Sequence, residues 1–324
     1  MEIIFLGTSS GVPTKARNVS GAAIRLENSK SWYLIDCGEG TQHQILKTPF
    51  SLNSLHTIFI THVHGDHCYG LPGLLASATM SGRTKTLNII GPPELKEFLD
   101  LVLTTTQVRL SYEIVFHDVN SIDKYKNDEF TVNTCALSHR VPSWAYEFKE
   151  KKISRSLNTE KLKTDGIESG PFWGKLQQGE NVELEDGRML QAENYLNEGR
   201  RPRKVIISGD NDSPHLLAAN TENLDVLVHE ATYTKAVAEK VGNVPQHSYA
   251  KLVAQFADTH GIPNLILTHF SARYHGSDSV KDSIGELEQE AKENYRGNLY
   301  LANDLDIFYL NKDGVLQKGT SLNK

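Results

Sequence analysis

The sequence predicts an α/β protein folded as a four-layer αβ/βα sandwich. Three observations carry that expectation. Short β-rich runs alternate with helical segments through the first third of the chain, the alternation resumes at residue 204 after a long break, and strands in both halves end in Asp or His. Two βαβ-like halves with strands meeting in the middle account for all three.

The elements follow in order. Residues 2–6, 22–26 and 32–35 are short β-rich runs separated by turn residues. The third ends in Asp36-Cys37-Gly38-Glu39-Gly40, a glycine-rich turn that feeds a helix near 41–46. The apolar run Thr57-Ile58-Phe59-Ile60 leads into Thr61-His62-Val63-His64-Gly65-Asp66-His67, and Leu71-Pro72-Gly73-Leu74-Leu75 opens another helix. Strands are expected at 87–90 and 114–117 with a helix at 94–103 between them. Beyond the break, strands are expected at 204–208, 226–228 and 265–267, with a helix at 249–257.

Residues 149–200 form the break. They are rich in Lys, Glu, Asn and Gly, show weak hydrophobic periodicity, and are too many for an ordinary connection inside a compact domain. The stretch is either a disordered insertion or a projecting arm. In the second reading its basic residues (Lys151, Lys152, Arg155, Lys161, Lys163, Lys175) and an aromatic tip, Gly170-Pro171-Phe172-Trp173-Gly174, touch a polyanion. Residues 1–324 then form one domain with an arm inserted at about 149–200.

A chain of 324 residues, 39% hydrophobic, supports a substantial core, so a metal is not needed to fold it. The net charge of −6 argues against indiscriminate coating of nucleic acid but leaves room for a local basic surface. Cys37, Cys68 and Cys135 are odd in number and widely spaced, which fits a reducing compartment without structural disulfides. Cys68, although next to His67, reads as a packing residue. The opening Met1-Glu2-Ile3-Ile4-Phe5-Leu6-Gly7 reads as a strand rather than a signal segment, and no run approaches 18 apolar residues. A soluble cytoplasmic protein with no membrane span is expected.

The H-x-H-x-D-H cluster at 62–67 places three imidazoles and a carboxylate within six positions at a strand end. Zinc and similar metals take such N and O ligands at about 2.0–2.2 Å. Gly65 would give the turn access to positive φ. Three more candidates share the setting: His139 after Thr134-Cys135-Ala136-Leu137-Ser138, Asp210 after Val205-Ile206-Ile207-Ser208-Gly209, and His269 after Leu265-Ile266-Leu267-Thr268. Taken singly each is more often structural. Together they predict two adjacent sites: His62, His64 and His139 around one metal, Asp66, His67 and His269 around the other, with Asp210 bridging. Open metal positions would mark the site as catalytic.

This ligand pattern resembles the metallo-β-lactamase superfamily and, within its zinc phosphodiesterase branch, the short-form tRNA 3′-endonuclease family, ribonuclease Z. The resemblance runs nearly end to end, from Phe5-Leu6-Gly7-Thr8-Ser9-Ser10-Gly11-Val12-Pro13 to Leu301-Ala302-Asn303-Asp304. Pro13-Thr14-Lys15-Ala16-Arg17-Asn18 matches the P-x-K-x-R-N loop, associated with the end of the tRNA, which makes Lys15, Arg17 and Asn18 candidate substrate contacts. Asp36–Gln42 is family-like. His229-Glu230-Ala231-Thr232 matches the HEAT motif and His247-Ser248 the start of the HST motif. Gly170 and Pro171 stand where the family's arm carries its Gly-Pro motif, and Ser271-Ala272-Arg273-Tyr274 resembles its S-[AS]-R-Y stretch. Arg273 could equally bind phosphate or pair with a local acid. Two departures concern metal affinity and rate more than reaction class: Gly209-Asp210-Asn211-Asp212 replaces Gly-Asp-Thr, and Tyr249 stands where a small alcohol is usual.

The resemblance implies the metallo-β-lactamase fold with a protruding flexible arm, two Zn2+ per subunit and a precursor tRNA substrate cut after the discriminator nucleotide. It also implies a homodimer in which one subunit's arm serves the other's active site. Asp66 would be both ligand and base, and His247, held by Glu230, would protonate the leaving oxygen or bind the phosphate. The competing readings are a general zinc phosphodiesterase acting on small or other nucleic-acid diesters and a non-catalytic RNA-binding relic. The complete ligand set argues against the relic. β-Lactam hydrolysis rests on fold analogy alone.

Overall fold

The computed structural model describes residues 1–151, 153, 155–275 and 282–322. Lys152 of the expected basic set lies outside them.

Two sheets pack face to face. In the first, strands run in the order Leu316–Lys318, Ile307–Leu310, Glu2–Gly7, Gly21–Arg25, Trp32–Ile35, Leu55–Phe59, Leu87–Gly91 and Ile114–Asp118. The second runs Asn298–Leu301, Asn264–Thr268, Val226–Glu230, Lys204–Ser208, Ser143–Glu150, Phe130–Leu137 and Lys124–Lys126. The period-two alternation of a strand sends Ile3 and Phe5 into the core between the sheets, where they share a cluster with Phe148, Val205, Ile207 and Val228 of the opposite sheet. Ile4 and Leu6, one residue out of phase, join Leu71, Leu74, Leu75, Leu95 and Leu99 under an outer helix layer. On the far side Ile206, Leu227 and Leu265 pack under Val253, Ala254, Ala257 and Leu287 of the opposite helix layer. Both faces of each sheet are therefore covered, which is why the central strands are buried almost throughout. The order helix, sheet, sheet, helix is the αβ/βα sandwich.

Each sheet contains a parallel run: Trp32–Ile35 through Ile114–Asp118 in one, Lys204–Ser208 through Asn298–Leu301 in the other. Parallel strands end along one rim, and that rim is where open α/β sheets collect ligand-binding side chains.

The anticipated elements are present with boundaries shifted by a few residues, for instance Pro93–Thr105 for the helix at 94–103. The strand end expected before His139 belongs to Phe130–Leu137, which pairs in antiparallel register over eight residues with Ser143–Glu150, a strand the sequence does not mark. The helix Ile284–Lys292 buries only Leu287 and Ala291, so its hydrophobic signal is thin, although a Ser283/Glu286 capping box marks its start.

The described residues of the 149–200 stretch are folded. Its first two residues complete the strand Ser143–Glu150. Beyond them, short helices at Thr159–Thr164 and Phe172–Gln177 and a Val182–Glu183/Met189–Leu190 hairpin enclose a separate core of Leu162, Ile167, Leu176, Leu190, Ala192 and Tyr195. Phe172 and Trp173 pack against that core instead of standing out as an aromatic tip. Asn197 N–H donates to the Ser156 carbonyl (2.9 Å), and Leu157 bridges Leu196, closing the base. Two of the expected free cations are paired with acids: Arg155 with Glu193 and Lys163 with Glu160.

Candidate metal centre

All seven expected ligand side chains converge on the common rim of the two sheets. His62 and His64 follow the strand Leu55–Phe59, and His139 follows Phe130–Leu137. Asp210 follows Lys204–Ser208, and His269 follows Asn264–Thr268. Asp66 and His67 sit in a short helix, Gly65–Cys68, so the H-x-H-x-D-H segment is a strand end running into a helical turn. Gly65 is not among the positive-φ glycines. Its requirement is space, because a Cβ there would stand 2.2 Å from the Tyr69 ring. Gly209 is constrained similarly: its Cβ would meet Thr61 Cβ at 2.6 Å, pushing the Asp210 and His62 loops apart. His269 (φ 58°) and Asp36 (φ 58°) both adopt the left-handed conformation, which turns the chain sharply at the rim.

The ligand atoms form two groups. His62 Nε2 and His139 Nε2 each lie 3.1 Å from His64 Nδ1, and each is 3.7 Å from Asp210 Oδ2. His67 Nε2, His269 Nε2 and Asp66 Oδ2 lie 3.3–3.5 Å apart, and Asp210 Oδ1 is 3.4 and 3.3 Å from the two imidazoles. One carboxylate thus turns one oxygen to each group. Both groups meet the distance requirement for holding a metal ion.

The electrostatics fit a cation. Burial, reinforced by neighbouring imidazoles, holds His62 well below its usual pKa and His64 at about 4; burial also lowers His139. Neutral imidazoles are what a metal binds. In the second group burial opposes charge, but His67 and His269 hold the Asp66 carboxyl far below its usual range, and His269, His67 and His62 do the same for Asp210. Buried carboxylates demand compensating positive charge, and His67, pulled up by Asp210, Asp66 and Asp36 against its burial, supplies it in part.

Hydrogen bonds aim the ligands. Asp36 Oδ2 accepts from His67 Nδ1 (2.8 Å) and from Thr61 Oγ1 (2.9 Å), while its Oδ1 accepts from Thr61 N (2.8 Å). His62 Nδ1 meets Thr61 Oγ1 (3.0 Å), and His139 Nδ1 donates to the Gln246 carbonyl (2.9 Å). Gly11 N–H donates to Asp66 Oδ2 (2.7 Å). His269 Nδ1 lies 3.0 Å from Thr232 Oγ1, which in turn donates to Glu230 Oε2. The other Glu230 oxygen accepts from His247 Nδ1 (3.0 Å) and Asn211 N (2.9 Å). Burial pulls His247 down, but Glu230 and then Asp210 outweigh it and raise its pKa to about 9. The Asn211 departure also has a physical account. Its amide donates to His229 Nε2 (3.1 Å) while its side-chain carbonyl accepts from Ser138 N (3.3 Å) and Ser213 N (3.1 Å), so it knits together the loops that carry His139 and Asp210.

Among the remaining sequence-stated candidates, Arg17 points inward. Its guanidinium donates to Thr8 Oγ1, the Ala302 carbonyl and Asn303 Oδ1 (2.7–2.9 Å) and stacks on Phe270. Asn18 N–H donates to Asp304 Oδ2 (2.6 Å). Lys15 is exposed and lines a 740 Å³ cleft with Arg17, Tyr274 and Tyr300. Arg273 stacks on Tyr233, whose ring is 6.1 Å from that of His247. Gly170 and Pro171 lie at the start of an arm helix, remote in sequence from the rim. Sequence reasoning passed over Asp36, Thr232 and Arg140. Arg140 lines an open cavity of 320 Å³ above the metal-ligand cluster with Ser10, Glu39, Tyr69, Asp66 and His247, and no carboxylate among the described residues pairs with it.

A His/Asp cluster on the rim of an αβ/βα sandwich defines a protein of the metallo-β-lactamase fold with a metal site. The Bacillus subtilis metallo-β-lactamase fold protein YhfI superposes with a TM-score of 0.63 at 18% identity, covering 98% of this chain and 99% of its own. Human tRNase Z, short form, gives 0.66 at 24% identity, covering 96% and 100%. The family described as Anti-Pycsar protein Apyc1 matches residues 1–146. Ribonuclease Z of Marinobacter nauticus is 50% identical over 319 residues, 98% of this chain and 99% of that one. Ribonuclease Z of Pseudomonas putida (strain W619) is 48% identical over 322 residues, covering 99% and 100%. The chain belongs to the ribonuclease Z family.

Proposed function

We propose that this protein is a zinc-dependent endoribonuclease that cuts tRNA precursors after the discriminator nucleotide, leaving a 3′-hydroxyl on the tRNA and a 5′-phosphate on the trailer. The observation that carries the reading, in a chain of this family, is the Asp210 carboxylate presenting one oxygen to each of two imidazole groups. His62, His64 and His139 would hold one zinc and Asp66, His67 and His269 the other, with Asp210 offering an oxygen to each.

Bound there, the two ions supply Lewis acidity, lowering the pKa of water and neutralising phosphoryl oxygens. The chain's own groups do the rest. Asp66 accepts the proton of the attacking water. The Glu230 carboxylate occupies His247 Nδ1, which leaves Nε2 to deliver a proton to the departing 3′-oxygen. Arg140 binds a phosphate oxygen at the cavity mouth, and Arg273 and Lys15 offer further phosphate contacts on the surface. The inserted arm, with its own core, grips the body of the tRNA through Gly170, Pro171 and neighbouring residues. The Arg17 and Asn18 bonds shape the loop that presents Lys15.

The working form is a cytoplasmic homodimer. Among the described residues no helix is long and apolar enough to cross a membrane. The alternative, a zinc phosphodiesterase of small or other nucleic-acid diesters, needs the metals but not the arm. The direct test of the bridge is Asp210→Ala. Zinc content and precursor cleavage should fall together; a fully zinc-loaded variant would refute the bridging assignment.

A further inference from the structure

A second cavity, of 280 Å³, shares His247 with the 320 Å³ cavity but is lined by none of the seven candidate ligands; its walls include Asp212, Tyr233, Lys235, Gln246, His247 and Tyr249. His247 belongs to both, so the two spaces meet at its ring. Tyr233 and Tyr249, both half-buried, are joined by a short backbone bridge at its wall. Among the described residues no protein group bonds either tyrosine hydroxyl or the Gln246 side-chain amide. Asp212 is half-buried, and its Oδ1 accepts only from its neighbour Ser213 Oγ (2.8 Å). Aromatic faces beside unspent donors and acceptors are the means by which proteins hold an unstacked nucleobase. A space of this size is at the small end of ligand pockets.

We infer that this pocket is a base-reading subsite for the nucleotide on the 5′ side of the cut. The inference rests on the reading above, in which His247 faces the departing 3′-oxygen. That oxygen belongs to the discriminator nucleotide, so its ribose and base extend past His247, away from the metal ligands and into this pocket, while the trailer leaves through the cavity holding Arg140. The base packs against Tyr249, and the Asp212 carboxylate accepts from an exocyclic amine. Adenine, cytosine and guanine carry such an amine. Uracil has no exocyclic amine: it carries a carbonyl oxygen where cytosine has N4–H2, and its one ring donor, N3–H, is flanked by two such oxygens that face a carboxylate unfavourably. The structure therefore assigns this site a preference for A, C or G over U at the discriminator position.

The test is kcat/KM for four precursor tRNAs that differ only in the discriminator base, for wild type, Asp212→Asn and Tyr249→Thr. One hydrogen bond to a charged acceptor sets the expected scale: wild type should cut the amine-bearing substrates roughly tenfold faster than the U substrate. Asp212→Asn should flatten that ratio. Tyr249→Thr should raise KM for all four while leaving their ranking in place. Zinc content and thermal unfolding report whether the variants are intact, and a variant that fails to fold is replaced by Asp212→Ser. Equal wild-type rates on all four, or a preference that persists when the carboxylate is gone, would overturn the subsite while leaving the endonuclease reading standing. A wild-type protein that cuts no precursor would overturn both.

Discussion

Replacing Asp36 by Asn perturbs the hydrogen-bond support of His67 directly, and that of His62 through Thr61, without replacing a candidate ligand. The carboxylate accepts three hydrogen bonds, from Thr61 N, Thr61 Oγ1 and His67 Nδ1. Asn has the same shape and tolerates the left-handed backbone found there (φ 58°), so the fold should survive. Its amide, however, has one acceptor oxygen. If that oxygen faces His67 and Thr61 Oγ1, the NH2 opposes the Thr61 N–H; if it faces Thr61 N, the NH2 opposes His67 Nδ1–H. Either orientation sets donor against donor in a buried place, and the remaining bonds lose their charge assistance. Supports of this kind are worth about 10–100-fold in metal affinity, roughly 1.4–2.7 kcal/mol. Zinc dissociation constants measured by competition with a chromogenic chelator should rise by that factor at the His67 group, and kcat/KM for precursor tRNA should fall in step. Wild-type zinc affinity in Asp36→Asn would refute the argument.

Further outcomes follow from other groups. His247→Ala should lower kcat by about 10²–10⁴ with zinc content unchanged, and unaltered precursor cleavage would remove its proton-donor role. Excising residues 157–196 joins Ser156 to its hydrogen-bonded neighbour Asn197 and removes the arm with its separate core. That variant should lose tRNA processing but still hydrolyse a small chromogenic diester; surviving tRNA processing would show that the arm is not the tRNA-binding element. The buried Glu150 carboxyl, opposed by burial but bonded by Arg200 and Arg203, is held down at about 2. Its folded value lies below its unfolded one, so its contribution of about 3 kcal/mol is complete above pH 4.5 and disappears as the pH falls towards 2. Urea unfolding from pH 7 to 3 should therefore show a shallower acid loss in Glu150→Gln than in wild type, and parallel curves would contradict the assignment.

The chain shows its chemistry more openly than its supports. A candidate ligand set reads well from sequence when each member follows an apolar strand, because strand ends on one rim converge whatever the intervening loops do; His139, Asp210 and His269 are such candidates. Asp36 also ends a strand, but an Asp in a glycine-rich turn looks like any turn residue until His67 is found 2.8 Å away. Thr232 and Arg140 have no local pattern, since their roles come from a packed loop and a cavity wall. Arg17 carries the opposite lesson. A cation in a loop motif reads as a phosphate ligand, yet three acceptors from distant segments claim its guanidinium. The arm's core was illegible because its two helices are six residues long and bury one leucine each, too little to register as periodicity.

The central claim is that the rim cluster, loaded with two zinc ions, cuts precursor tRNA at one phosphodiester. It is tested most directly by counting metals in the purified protein and mapping its cut on a precursor tRNA to the nucleotide. Two zinc ions per chain and a single break after the discriminator nucleotide, with a 3′-hydroxyl on the tRNA, are the predicted result. A zinc-loaded protein that leaves the precursor intact, or cuts it with a 3′-phosphate, would contradict the account.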